Sequence, residues 1–280
     1  CSQSRGLGDV YKRQIVHLVR CFDSENIQHV NKNIDPINDL ETIKTEILLA
    51  DINQVEKKLQ KNMKKKMTSK EIEFLEEVLN RLNKGGDLND FSDNEKQKTL
   101  REIGLISVKP YIIVSNVDER DVKNGNNYTK KLKEKFPGQK HIVICADIED
   151  QITDLKADER ADYMQNIGLQ KTGLDQLIIT GYELLNLTTF FTSGPEETKA
   201  WTIKKNTNAQ DASAVIHSDF QKNFIRAETV SFEDFEKYGG AEKAKENGKL
   251  RVEGKDIWLE MEMFYFSGST SDQSLLILKY

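Results

Sequence analysis

The sequence predicts an α/β protein: a parallel sheet interrupted by an inserted antiparallel helical hairpin, followed by a smaller β-rich unit. Three observations predict it. Ile15–Arg20, Tyr111–Ser115 and His141–Cys145 are short apolar runs, the pattern of strands buried in a parallel sheet. Between the first two lie two apolar stripes at helical spacing: Ile43, Ile47, Leu48, Ile52, Val55, Leu59, and then Ile72, Leu75, Leu79, Leu82. After residue 190, strand and short-helix signals alternate over about 60 residues.

The elements follow in order. Ile15–Arg20 is a core strand. A helical stretch runs from Asp39 to about Lys84, folded back on itself at the basic segment Lys61–Ser69, and Gly85-Gly86 ends its second helix. A third short helix from Asp93 to about Ile103 packs back on the core. The sheet resumes with Tyr111–Ser115, a helix over about Tyr128–Phe136 and the strand His141–Cys145. Ala146–Glu149 follows it, and a helix over Leu174–Leu187 closes the domain. The last unit holds a strand Ala200–Ile203, a helix Ala209–His217, a strand Ile225–Val230 and a short helix near Ala241–Glu246.

Asn116-Val117-Asp118-Glu119 is the most informative segment because it leaves the carboxyl end of a buried strand, where open α/β sheets bind ligands. An Asn with a carboxylate three residues on matches the base-reading loop of GTPase-type domains, which carry Asn-Lys-x-Asp. Guanine offers N1–H and N2 amino donors to one carboxylate, whereas adenine offers the N6 donor. Asn carries a donor and an acceptor and serves either purine. Glu119 is one methylene longer than Asp, which disturbs the guanine fit, so relaxed or adenine-leaning specificity is expected.

Composition narrows the field. Charged residues make up 31% of the 280, and no apolar run reaches the length of a membrane span, so no membrane partner is expected. Mean hydropathy is −0.62. A net charge of −5 argues against a globally basic nucleic-acid binder, so DNA is not an expected partner, but it permits a local basic patch. The three cysteines have no metal-ligand spacing; a reduced, cytoplasmic compartment is expected, with Cys21 and Cys145 as inert core thiols and no metal site in this chain. No Ser/His/Asp set or paired-carboxylate motif stands out. His17 and His141 lie within strands, as satisfied buried imidazoles would, and neither His29 nor His217 has a catalytic setting.

Four segments carry a resemblance to a known family: Ile15–Phe22, Asn116–Glu119, Gly181–Leu187 and Phe190–Gly194. Ala200–Ile203 and His217–Phe220 with Phe224–Glu228 extend it. In this order, from Ile15 to Asp256, the chain resembles the Obg-like ATPase (YchF) subfamily of translation-factor-type P-loop NTPases. The resemblance implies a GTPase-like (G-domain) sheet with a helical insertion and a ubiquitin-like, β-grasp TGS domain. The implied boundaries are 15–38 and 104–189 for the G domain, 39–103 for the insertion and 190–256 for TGS. It implies an ATP hydrolase that accepts GTP less well, uses Mg2+ with ATP, and has the ribosome or ribosomal RNA as partner. Asn116, Val117 and Glu119 become the base-binding loop, with Ala146 in a second loop whose backbone N–H groups contact the base.

No Gly-x-x-x-x-Gly-Lys-Ser/Thr run occurs in the sequence. That run needs glycine-permitted backbone around phosphates, a Lys for their charge and a hydroxyl for magnesium. The phosphate half and all catalytic residues are expected upstream of Ile15, and hydrolysis by this chain alone is not expected. Residues 1–14 do not fit the family and read as a cloning or assembly leader. Residues 257–280 do not fit either. One base lost after the Asp256 codon would permit Tyr-Leu-Val-Arg-Asp-Gly-Asp-Val-Leu-Phe-Phe-Arg-Phe-Asn-Val, two β-rich runs around an Asp-Gly turn, so a frameshifted tail is expected. The alternative function is a nucleotide-independent RNA- or ribosome-binding module. Its contacts would be the lysines of the hairpin tip, Lys61, Lys64, Lys65 and Lys66, and Lys222 and Arg226 beside Phe220 and Phe224. A solvated tip and core phenylalanines account for the same residues.

Overall fold

The structure is a computed structural model that describes residues 13–24, 33–62, 67–86, 88, 91, 93–193, 198–224, 226–254, 262–267 and 275–279. The chain divides into two compact units, one of residues 12–181 and one that holds 182–280.

In the first unit, β1 (Ile15–Arg20) leads into α1 (Pro36–Asn62), α2 (Ser69–Asn83) and α3 (Asn94–Ile103) before β2 (Tyr111–Asn116). A 3-10 turn (Glu119–Asp121) and α4 (Asn127–Lys135) connect β2 to β3 (Lys140–Ile144). Then come α5 (Ala146–Asp154), α6 (Ala157–Ile167) and α7 (Gly173–Leu184). The three strands form a parallel sheet with β2 in the middle. That position explains the unbroken apolar run: Ile112, Ile113 and Val114 are buried from both sides. One face of the sheet packs Val19, Ile113 and Val117 against Leu40 and Leu132. On the other face Val16, in register with Ile112, and Leu18, in register with Val114, remain 42% and 64% exposed.

The three inserted helices close a core of their own. Val55, Leu75, Val78, Leu82, Leu100 and Ile103 are buried together, with Leu48, Ile52 and Leu59 packed against them. A capping box between Thr68 and Glu71 starts α2, and the Asp93 side chain caps α3. Gly104, at φ 84°, ends α3 in the left-handed region that glycine enters freely. The chain returning to the sheet is held by Asp51 of α1. Its buried carboxylate accepts the N–H groups of Ile106 and Ser107, both at 2.8 Å.

The second unit contains β4 (Leu187–Ser193), β5 (Thr198–Lys204), α8 (Ala209–Ile216), α9 (Ser218–Lys222), β6 (Arg226–Ser231), α10 (Phe232–Tyr238), α11 (Ala241–Glu246), β7 (Arg251–Glu253), β8 (Glu262–Ser267) and β9 (Leu275–Lys279). The sheet order is β5-β4-β9-β8-β6-β7, and every pair is antiparallel. Ala209 and Ala212 let α8 approach the sheet closely over Phe190 and Ile203.

Several readings from the sequence need correction. Ala146–Glu149 is the first turn of α5, not a loop; Asp147 and Glu149 there favour the positive end of a helix dipole. The helix expected over Leu174–Leu187 stops at Leu184, because the β-branched and aromatic run from Leu187 belongs to β4. Helices α6, α9 and α10 and the strand β7 were not anticipated. Within residues 257–280, Glu262–Ser267 and Leu275–Lys279 pair as strands of the second sheet, which leaves the expectation of a frameshifted tail neither supported nor corrected.

Candidate nucleotide-base site

The strand β2 delivers Asn116 to the carboxyl edge at the centre of the parallel sheet. Both neighbours hold the backbone as it leaves. Asn116 O accepts the Cys21 N–H at 2.8 Å, and the Val117 N–H donates to Ile144 O at 2.9 Å. Val117 anchors the loop from below, only 2% exposed among Val19, Leu40 and Leu132. The Ala146 N–H, at the start of α5, donates to Asn116 Oδ1 at 3.0 Å. That bond laces the loop after β2 to the start of α5 and fixes the amide, so Nδ2 is the group left to meet a ligand; no described residue engages it. The Ala146 N–H therefore orients Asn116 in this structure.

Glu119 is exposed in the 3-10 turn, and its Oε1 accepts from Gln151 Nε2 of α5 at 3.2 Å. Gln151 Oε1 in turn accepts from the Tyr163 hydroxyl of α6 at 2.5 Å. Asp118 pairs with Arg120 at 3.2 Å instead of facing the edge. Asn126 caps α4 and joins the loop after β1 to the turn: its Nδ2 donates to Cys21 O at 2.7 Å and to Asp121 Oδ2 at 3.1 Å. Glu149 closes the site's rear. Its carboxylate accepts the N–H groups of Gly173 (2.6 Å) and Leu174 (3.1 Å) at the start of α7. A side chain at Gly173 would bring a Cβ 2.5 Å from Ile144 Cγ2, so glycine permits this approach of helix to strand.

Burial shifts three titratable groups of the parallel sheet and its strand ends. Burial pushes the Cys21 thiol up to about 11, partly opposed by its hydrogen bond with Ser115. Burial raises the Cys145 thiol too, against hydrogen bonds from the Ile148 and Asp147 backbone. Burial, and secondarily Lys44, lowers the His17 imidazole. The edge thus offers a fixed amide and an exposed carboxylate.

The sequence pointed to Asn116, Val117, Glu119 and Ala146, and the structure joins Asn116 to Ala146 directly. It adds Gln151, Tyr163, Asn126 and Glu149. The i,i+4 pair Ile148 and Ile152, both buried, was the signal for α5, which puts Gln151 on its exposed side. Nothing in the sequence links Gln151 to a carboxylate 32 positions away. Lys222 and Arg226 are exposed at the end of α9 and the start of β6, and Arg226 lies 3.8 Å from Glu228. Phe224 packs partly buried on the Phe190 cluster, while Phe220 is half-buried against the His217 ring. The side chain of Lys61, and Lys64, Lys65 and Lys66 altogether, lie outside the described residues. Among the described residues no group of three or more His, Cys, Asp or Glu could hold a metal ion, and no helix is long and apolar enough to cross a membrane.

An Asn and a carboxylate at this edge of a parallel sheet resemble the base-reading edge of a GTPase-type nucleotide domain. Comparison with known proteins narrows it. The chain is 40% identical over 272 residues to the ribosome-binding ATPase YchF of Bacillus subtilis (strain 168), an alignment covering 91% of this chain and 74% of that one. It is 37% identical over 279 residues to the protein of the same name from Mycoplasma genitalium, covering 92% and 75%. The solved structure of the Schizosaccharomyces pombe YchF GTPase superposes with a TM-score of 0.75 at 29% identity, covering 91% of this chain and 72% of that one. Residues 187–265 match the family YchF-GTPase_C, described as a protein of unknown function (DUF933). The chain belongs to the YchF family of ribosome-binding ATPases.

Proposed function

We propose that the chain supplies the base-reading half of an ATP site in a ribosome-associated ATPase. The hydrogen bond from the Ala146 N–H to Asn116 Oδ1 carries this reading, because it aims a fixed Nδ2 donor outward at the ligand edge of the sheet. The purine N7 acceptor, common to adenine and guanine, suits that donor. Asn116 then recognises the purine, and Glu119 reads its Watson–Crick edge, where the adenine N6 amino group needs a single acceptor. GTP is the weaker ligand on this account, and the setting is cytoplasmic. The described residues do not fit Mg2+, which needs hard oxygen donors that they do not bring together, so no step is assigned to it here.

Calorimetric titration of the chain with ATP and GTP tests the proposal. Asn116→Ala should weaken both by roughly tenfold, and Glu119→Asp should shift preference towards GTP. Unchanged affinities in Asn116→Ala would refute the base site.

A second reading rests on a separate observation. Lys222 and Arg226 are exposed in the second unit, read here as a TGS domain because a helix is clasped against the β4–β5 hairpin. Their charges suit contact with a ribosomal RNA backbone. Charge reversal at both positions should lower ribosome co-sedimentation; unaltered co-sedimentation would exclude them.

A further inference from the structure

The carboxylate of Glu119 is exposed, yet it is not a freely rotating group. Its Oε1 takes a hydrogen bond from Gln151 Nε2 at 3.2 Å, and the Gln151 amide is itself oriented by the Tyr163 hydroxyl. Only one orientation of that amide satisfies both partners. The reversed amide would turn Oε1 on the Glu119 carboxylate, an acceptor against an acceptor. The foundation is rigid as well. Tyr163 packs with Met164 and Ile167 against the buried Cys145, Ile148 and Ile152, and Val122, at the end of the 3-10 turn, packs on the same cluster. Both ends of the chain Glu119–Gln151–Tyr163 therefore rest on one small core formed by α5, α6 and the turn.

This arrangement divides the two carboxylate oxygens. Oε1 is turned towards α5 and engaged, while no described residue engages Oε2. Guanine presents two adjacent donors, N1–H and the N2 amino group, and pairs best with two coplanar oxygens of one carboxylate. Adenine presents one donor on that edge, N6, and one oxygen suffices. Resting on the base-reading role proposed above, we infer that Gln151 is a specificity-determining residue: by drawing Glu119 Oε1 towards α5, with Tyr163 as its positioning partner, it orients the carboxylate to offer Oε2 foremost to the base, which favours adenine nucleotides over guanine nucleotides. The same geometry gives Glu119→Asp a physical route to altered preference, since shortening the side chain by one methylene loosens its hold by Gln151 and lets both oxygens turn to the base.

The test compares Gln151→Leu and Tyr163→Phe with the unaltered chain, measuring the dissociation constants of ATP, GTP and inosine triphosphate. Inosine keeps the N1–H donor but lacks the N2 amino group, so it separates two-oxygen from one-oxygen recognition. In Gln151→Leu the ratio of GTP to ATP affinity should rise about tenfold, with a smaller gain for inosine triphosphate. Tyr163→Phe, which removes one hydroxyl and retains the packed ring, should move the ratio the same way by roughly threefold. It also keeps the test open should Gln151→Leu fold poorly. A loss of stability alone would lower all three affinities together. Binding of ATP by every form with unchanged GTP:ATP ratios would overturn the inference and leave the base site standing. Absence of binding in the unaltered chain would overturn both.

Discussion

Three buried side chains below the sheet edge have consequences that solution measurements can read. Cys21 is fully buried and its thiol is pushed up to about 11, so at pH 8 it is protonated and shielded. Iodoacetamide at that pH should modify Cys21 and Cys145 only after denaturant unfolds the first unit, with mass spectrometry locating the label. Labelling of Cys21 at the rate of a free peptide thiol would contradict its placement. His17 stands edge-on to Tyr111 with Lys44 nearby, and its pKa is lowered from 6.5, first by burial. Its proton binds more readily in the unfolded chain. The stability it supports is thus fully present above about pH 6.5 and lost as pH falls through the lower folded value. His17→Gln should flatten the decline in urea midpoint between pH 7 and pH 5, and an unaltered slope would show that other groups govern it. Asn116 was legible in the sequence because its position, type and spacing to Glu119 are local facts. Gln151 was not, because its role depends on which face of α5 meets the turn after β2.

At the scale of elements, a buried carboxylate ties the inserted helices to the chain that returns towards the sheet. Asp51 is fully buried and accepts two backbone N–H groups where the chain returns towards β2. Asp51→Ala leaves both donors without partners and should cost about 3 kcal/mol, seen as a lower urea midpoint. A change below about 0.5 kcal/mol would mean that water satisfies both groups. The strand β1 and the helix α3 were legible within a residue because apolar periodicity and caps are written locally. The helix α6 was not: its apolar face is only Tyr163, Met164 and Ile167, none of them fully buried, too short a stripe to stand out in the sequence. The end of α7 was misread for a related reason. Leucines at 184, 185 and 187 continue a helical stripe, and pairing of Leu187 with Lys204 in the β4–β5 ladder overrides it.

At the scale of the molecule, the first unit leaves apolar surface open on one sheet face. Val16 and Leu18 of β1 are 42% and 64% exposed. An edge strand with an apolar face favours association between copies. The double substitution Val16→Thr and Leu18→Lys should raise the monodisperse fraction of the expressed chain in light scattering, with little loss of β propensity at Val16→Thr. No change in that fraction would mean that this face does not drive association.

The central claim, that the carboxyl edge of β2 reads a purine base, is tested most directly by amide-resolved NMR of the chain titrated with ATP. The account predicts saturable shifts of the Asn116 side-chain amide and of the Val117, Glu119 and Ala146 backbone amides, abolished in Asn116→Ala. Shifts confined to other residues, or an unmoved Asn116 amide at saturating ATP, would contradict it.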